Sequence, residues 1–419
     1  MSLPHFTHSI ASRSGAQGGR CLVPASRHKA WIGTLRHVPG AALRDVRVLD
    51  LATLIAGPAV ARYLADFGAD VIKVERPGGD ATRSMGWKLA NDSIYWKLVN
   101  RGKRTATLDL KDERDRETMF RLIDQADILC ENMRPGRLEK LGLGPDVLLE
   151  RNPRIVIVRV TGFGQTGPYA QKPGFATIAE AMSGFADLTG EPGGGPLLPP
   201  IALTDEVTAL AGAFCAMVAL RHADATGEGQ VVDLSLFESL FQIMGPLPSA
   251  WAHLGYLQPR LGAGLPYSVP RGTYRCADGV WVALSASADS VAVRVLKLLG
   301  LDGDERFSTF EGRIEHREAL EERTRGWISI RDSTEVIAEF EIVDAAIAPV
   351  YTMADIASDP HFAAREALVE VEGLVMQNVI GKFSRTPGRI RSAGPAIAGQ
   401  EESRRIAFHN RGGDWSSVS

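Results

Sequence analysis

The chain reads as an α/β protein built on a parallel β-sheet, with a smaller α+β unit attached. Three observations predict this. Short runs of β-branched and aliphatic residues recur from Val46 onward, each almost unbroken in apolar character, as strands covered on both faces are. Stretches of helical periodicity separate them. Beyond Gly262 the pattern changes to two closely spaced strands and a helix, in a chain whose 419 residues, 45% of them hydrophobic, suffice for two domains.

The elements follow in order. "VRVLDLA" (46–52) is the first strand, and "LIAGPAVARYLADFGAD" the first helix, with Pro58 in its opening turn and Gly68 at its end. "VIKVE" (71–75) and "TATLDL" (105–110) are strands, and "KDERDRETMFRLIDQA" is a charged helix. "DILCEN" (127–132) and "RIVIVRV" (154–160) continue the series. A Gly/Pro-rich break, "TGEPGGGPLLPP" (189–200), precedes a helix from Thr204 to Ala223, the strand "QVVDLSL" (230–236) and a helix from Phe237. "RGTYRCADGVWVALSA" forms a hairpin turning at Asp278-Gly279, and "DSVAVRVLKLLGL" a helix. The alternation from Val46 predicts a Rossmann-like domain, and residues 262–349 a smaller one.

Composition narrows the function. A formal net charge of −3 points to neither nucleic acid nor an anionic membrane surface. The four cysteines (Cys21, Cys130, Cys215, Cys276) include no CxxC and no histidine at ligand spacing, so they read as reduced thiols of an intracellular protein. The longest apolar stretch, Val207 to Leu220, is too short for a bilayer. Before the first acid, Asp45, stand Arg13, Arg20, Arg27, Lys29 and Arg36. Residues 1–42 are expected to be a disordered leader on a cytoplasmic enzyme; the same composition satisfies the rules for a mitochondrial transit peptide, which would place it in the matrix.

Two motifs bear on chemistry. "GFGQTG" (162–167) matches GxGxxG, but Pro168 and "YAQKPG" follow where a dinucleotide fingerprint opens a helix. No GxxxxGK[ST], HExxH or GxSxG is present. "PPIALTDEVTALAGAFCAMVAL" sets Thr204-Asp205-Glu206 at the head of an apolar helix. One reading makes Thr204 or Asp205 a helix cap. The other makes Asp205 a nucleophile, since a helix N-terminus favours a carboxylate anion and exposed amides there can receive an oxyanion.

The order of these pieces resembles the class III CoA-transferase family, which includes formyl-CoA and carnitine CoA-transferases and related acyl-CoA racemases. The likeness runs from about Leu43 to Gln400. It is carried by "VLDLATLIAGPAVARYLADFGADVIKVERPGGDATR", "YWKLVNRGKRTATLDLK", "ADILCENMRPGRLEKLGL", "NPRIVIVRVTGFGQTGPYAQKPGF", "IAEAMSGFADLTG" and "TDEVTALAGAFCAMVALRHADATGEGQVVDLSLFESL". The resemblance implies Asp205 as the acyl-accepting nucleophile. It implies Leu54, Ile55 and Ala56 at the cofactor cleft, and Arg76, Leu108, Lys111, Asn132, Met133, Lys140 and Lys172 at CoA-binding positions. Arg76, Lys111 and Asn132 also lie just past predicted strand ends, where open α/β sheets bind ligands. Cationic side chains there fit the phosphates of CoA.

The resemblance further implies a CoA-binding large domain over 43–236 with a return at about 398–419. A linker over 237–262, a small domain over 263–349 and a return linker over 350–397 complete it, in an interlocked homodimer. Its substrates would be an acyl-CoA and a small carboxylic acid, with no metal, since the thioester is already activated, and no nucleic-acid or membrane partner. CoA would pass between acids through an aspartyl mixed anhydride and an aspartyl-CoA thioester. Two other readings are an acyl-CoA racemase and a non-catalytic CoA-binding protein. The racemases use a histidine in the loop "QKPGFATIAEA", and this chain has none between His37 and His222. Ala176 follows Phe175 where the family often has an acid, and "RLGAGLP" (260–266) is the counterpart of its glycine-rich flap.

Overall fold

The structure, a computed structural model, describes residues 40–411; most of the expected leader lies outside them. β1 (Arg47–Asp50) leads through a five-residue loop to α1 (Ala56–Asp66) and β2 (Asp70–Glu75). A 3-10 turn (Ala81–Ser84) and a small ribbon, β3 (Lys88–Leu89) with β4 (Asp92–Ser93), precede α2 (Ile94–Val99) and β5 (Arg104–Thr107). Next come α3 (Glu113–Ile123), β6 (Ile128–Glu131), α4 (Arg137–Lys140), α5 (Pro145–Arg151) and β7 (Val156–Thr161). Then α6 (Ala176–Met182), α7 (Phe185–Leu188) and α8 (Leu203–Thr226) lead to β8 (Val231–Ser235).

The six long strands form one sheet in the order β5-β2-β1-β6-β7-β8, and every pairing is parallel. This is the Rossmann order, and it reverses between β1 and β6, so the crevice for a ligand opens beyond their C-terminal ends. Alternate strand residues feed two cores, as the pleat requires. Val48, Val156 and Val158 pack with Val60 and Leu64 of α1 and Ala209 and Ala216 of α8. Leu49 and Ile157 face the other way, onto Met119 and Leu122 of α3 and Leu148 of α5.

α9 (Leu236–Gln242) and α10 (Leu247–Leu254) occupy much of segment 237–262. A second unit follows: β9 (Arg271–Arg275), β10 (Trp281–Ser285), α11 (Asp289–Leu298), α12 (Phe310–Glu315), α13 (Arg317–Ser329), α14 (Ser333–Ile342) and β11 (Ile347–Pro349). Its antiparallel sheet, β11-β10-β9, covers a separate core around Tyr274, Val282, Phe307 and Phe340. Segment 350–397 holds α15 (Met353–Ser358), α16 (Pro360–Ala364) and a hairpin of β12 (Leu368–Val371) and β13 (Leu374–Gln377). The chain then returns to the edge strand β5. Thr105 Oγ1 donates to Ala396 O at 2.9 Å, Thr107 Oγ1 to Ala398 O at 2.8 Å, and Ser403 Oγ, on α17 (Gln400–Ser403), accepts from Thr107 N at 2.8 Å. The return covers an edge that would otherwise offer unpaired backbone.

Two boundaries differ from the sequence reading in ways that matter for the site. The strand read over 105–110 ends at Thr107, and Leu108–Leu110 turn out to line a cleft. The apolar run 207–220 belongs to a 24-residue helix, long and apolar enough on those grounds alone to span a membrane. α8 instead buries Thr208, Ala209, Gly212, Ala216, Ala219 and Ala223 against α1 and the sheet.

Candidate active site

The crevice between β1 and β6 is filled by the loop that joins β1 to α1. Asn132, just past β6, brackets it: Thr53 N donates to Asn132 Oδ1 at 2.8 Å, and Asn132 Nδ2 donates to Thr53 O at 2.7 Å. Gly57 allows this approach, because a Cβ there would meet the Ala52 Cβ at 2.4 Å. Between these fixed points Leu54 takes φ +65°, a left-handed conformation that costs a residue with a side chain about 1–2 kcal/mol. Ile55 and Ala56 turn inward and are buried.

Beside this loop lies a cleft of about 420 Å³. Its walls include Leu51, Thr53 and Leu54 after β1, Arg76 and Asp80 after β2, Leu108 and Lys111 after β5, and Met133 after β6. Five residues expected at the cofactor site therefore share one cleft: Leu54, Arg76, Leu108, Lys111 and Met133. Arg76 and Lys111 are exposed, and neither cationic group has a hydrogen bond or ion pair among the described residues. By contrast Arg83 is bound bidentately to Glu75, and Arg159 to Glu131 and Glu139. A pair of uncommitted cations at the mouth of an apolar cleft is what a phosphorylated ligand with an uncharged arm requires.

Other expected residues stand apart. Asn132 acts within the protein, on Thr53. Lys140 is exposed at the end of α4, one residue before Leu141, which does line the cleft. Lys172 sits 3.7 Å over the Tyr169 ring, in the loop after β7 and away from the cleft walls.

Asp205 occupies the first turn of α8. The helix is capped at Ala202 without any side-chain bond, so neither Thr204 nor Asp205 is the cap that one sequence reading allowed. Thr204 Oγ1 donates instead to Glu180 Oε1 of α6 at 2.9 Å. Glu206 is held by α1, accepting from Arg62 Nη2 at 2.8 Å and from Tyr63 OH at 2.8 Å. Asp205 itself has no hydrogen bond or ion pair among the described residues. Burial pushes its carboxyl up to about 6, with smaller contributions from the negative charges of Glu206 and Glu180. It is not among the cleft-lining residues. The segment 260–266 is tied to α7 and the loop that follows it: Arg260 donates to Asp187 O at 2.7 Å and to Gly194 O at 3.1 Å.

Sequence reasoning missed Asp80 and Glu180. Asp80 sits in "PGGD", which reads as a turn, and Glu180 in an ordinary-looking helix. Asp80 reaches Leu54, 26 residues away, besides the nearby Lys73 and Thr82, and Glu180 meets Thr204 across 24 residues.

Residues 43–402 match the sequence profile of CoA-transferase family III. The chain is 40% identical over 383 residues, 88% of its length and 94% of the relative's, to the succinyl-CoA–L-malate CoA-transferase beta subunit of Chloroflexus aurantiacus. It is 37% identical to the succinyl-CoA–D-citramalate CoA-transferase of the same organism, over 86% of this chain and 92% of that one. The crystal structure of a CaiB/BaiF family protein from Brucella suis superposes with a TM-score of 0.77 at 32% identity, covering 87% of this chain and 98% of the other. With the parallel sheet, the cleft at its switch point and the helix headed by Asp205, these matches establish that the chain belongs to CoA-transferase family III and is a CoA-transferase acting on CoA thioesters.

Proposed function

We propose that the enzyme moves CoA from succinyl-CoA to a small dicarboxylic acid, using Asp205 as its covalent nucleophile and working as an interlocked homodimer. The observation that carries the mechanism is the state of Asp205. It is unpaired among the described residues and raised to about 6. It is therefore ionised at neutral pH, yet more basic than an ordinary carboxylate. A more basic oxygen is the better nucleophile.

In the proposed cycle an Asp205 oxygen attacks the thioester carbonyl, the C–S bond breaks, and CoA leaves as thiolate with the electron pair. The thiolate attacks the aspartyl carbonyl of the mixed anhydride, giving an aspartyl-CoA thioester and releasing the first acid. The acceptor carboxylate attacks that thioester and expels CoA thiolate. The thiolate then attacks the acceptor's carbonyl in the second anhydride, restoring the Asp205 carboxylate. Arg76, Lys111 and Lys140 are proposed to hold the CoA phosphates, with Leu54, Leu108 and Met133 against its uncharged arm. The donor is inferred from the names of the relatives, which transfer CoA from succinyl-CoA to malate and citramalate. The homodimer is supported by the outer face of α8, where Leu210, Phe214 and Val218 are 41%, 70% and 54% exposed.

The test is direct. Purified enzyme is given succinyl-CoA and a panel of carboxylic acids, and acyl-CoA products are followed by mass spectrometry. Transfer to malate-like dicarboxylates, with an acyl or CoA adduct on the Asp205 peptide when acceptor is withheld, is expected. Exchange of the α-proton without transfer would instead place the chain with the racemases.

A further inference from the structure

The left-handed Leu54 needs something to hold it, since strained backbone persists only where its surroundings over-determine it. Beneath the loop lies a cluster of four charged residues. Lys73 and Asp50 are 0% exposed, Lys103 2% and Asp80 7%. Lys103 Nζ donates to Asp50 Oδ2 at 2.8 Å, to Pro58 O at 2.7 Å and to Asn100 Oδ1 at 2.9 Å. Lys73 Nζ donates to Ala52 O and pairs with Asp80 Oδ2 at 3.2 Å and Asp50 Oδ1 at 3.7 Å. Two ammonium groups thus face two carboxylates in a space without solvent, where each is kept by the others.

Asp80 is the member of this cluster that also lines the cleft. Its Oδ1 accepts from Leu54 N at 3.4 Å, and from Thr82 N and Thr82 Oγ1 at 2.9 Å each. Its own amide donates to Glu75 Oε2 at 2.9 Å. One carboxylate therefore joins the loop after β1 to the loop after β2, the two walls that carry Leu54 and Arg76. Burial works to raise this carboxyl, but the Lys73 ammonium and Thr82 outweigh it and hold it below the ordinary carboxylate range, so the link stays charged.

We infer that Asp80 is a positioning residue of the acyl-CoA cleft: anchored by Lys73, it holds Leu54 in its left-handed conformation and so sets the cleft wall before the substrate arrives. The inference rests on the cleft being the CoA site. It assigns Asp80 no contact with the reacting atoms and predicts a loss in substrate binding, not in the chemical step.

A double-mutant cycle tests this, because glycine adopts a positive φ without strain. Asp80→Asn retains an oxygen for Leu54 N and Thr82 but loses the charge that Lys73 holds. In the full-length protein it should weaken CoA binding, read by calorimetry, about tenfold. Turnover at saturating acyl-CoA should change less than about twofold. In a Leu54→Gly background, already weakened by loss of the side chain, adding Asp80→Asn should cost less than about twofold. An equal cost in both backgrounds would overturn the inference, since a general loss of stability does not depend on residue 54. Hydrogen exchange without ligand gives a second reading. The peptide spanning 51–58 should exchange slowly in the wild type and faster in Asp80→Asn. A wild-type loop that is protected only after CoA is added would also overturn it. Failure of the wild type to bind CoA would defeat the reading of the cleft, while the ligand-free exchange comparison still decides whether Asp80 holds the loop.

Discussion

Asp205 caps no helix end, so replacing its carboxylate by an amide removes no cap bond, but an amide cannot serve as the nucleophile. Asp205→Asn should therefore fold and bind acyl-CoA yet turn over at least about 10³-fold more slowly, with no adduct on its peptide. It should also be the more stable protein. The unfolded carboxyl titrates near 3.8 and the folded one at about 6, so the folded chain holds the proton more tightly between those values. Stability from this group is present on the acid side and is lost as pH rises through about 4 to 6. At neutral pH the ionised side chain costs about 1–2 kcal/mol after allowing for solvent screening. Thermal unfolding at pH 7.5 should show the variant melting several degrees higher, and the gap should close near pH 4. An equal or lower melting point at pH 7.5 would contradict the raised carboxyl. The wild-type kcat/KM should fall below about pH 6 for the same reason. Lys111, a solvated cation at the cleft mouth, makes a smaller claim. Lys111→Ala should weaken CoA binding by about 1–3 kcal/mol, and the remaining affinity should depend less on salt. Unchanged affinity by calorimetry would remove Lys111 from the site.

At the scale of elements, what could be read from the sequence was whatever a local pattern carries. Val48 and Leu49 announce a strand buried on both faces because neighbours on a strand feed opposite cores, and both are apolar. Pro58 and the periodicity after it announce α1. Features set by distant partners were not legible: the Asn132 bracket on Thr53 joins residues 79 apart in sequence, and Glu180 meets Thr204 across 24. "TATLDL" misled because apolar residues that line a cleft look like apolar residues of a strand. Glycines show the same limit. Gly212 in α8 faces α1, where an added Cβ would lie 2.6 Å from Val60 Cγ2 and 3.1 Å from Leu234 Cδ2. Gly326 in α13 has nothing beyond its own stretch of helix within 4 Å of that position. Alanine gains up to about 1 kcal/mol over glycine inside a helix, while overpacking a filled core costs about 1–3 kcal/mol. Gly212→Ala should thus lose stability and Gly326→Ala gain it, although both are glycines within helices. Chemical denaturation measures both, and a gain at Gly212 would mean that α1 and α8 can separate at little cost.

At the scale of the whole molecule, several large apolar side chains stand exposed among the described residues. Besides Leu210, Phe214 and Val218 at one-turn spacing on α8, Trp251 and Leu254 of α10 and Leu257 are 56%, 79% and 73% exposed. Apolar patches of this kind mark surfaces that another body covers. Two occupants fit a helix as apolar as α8: a second copy of the chain, or lipid, since α8 passes the length and hydropathy test for a membrane span. The second copy is favoured because the opposite face of α8 is already spent on α1 and the sheet, and because Asp205, Glu206 and Glu180 gather at one end of the helix. Sinking those carboxylates into hydrocarbon would be costly. Light scattering at micromolar concentration should give twice the chain mass, and vesicles should not carry the protein upward in a flotation gradient. Phe214→Arg puts a charge in the middle of the outer face while leaving the core side of α8 untouched. Because the proposed chains are interlocked and part only on unfolding, the effect should appear on refolding from denaturant, where Phe214→Arg should return a smaller dimer fraction than the wild type. A wild type that runs as a monomer would defeat the homodimer, and recovery with the vesicles would hand the face to lipid. A Phe214→Arg variant that refolds as fully dimeric as the wild type would move the interface off α8, with the exposed residues of α10 the next candidate.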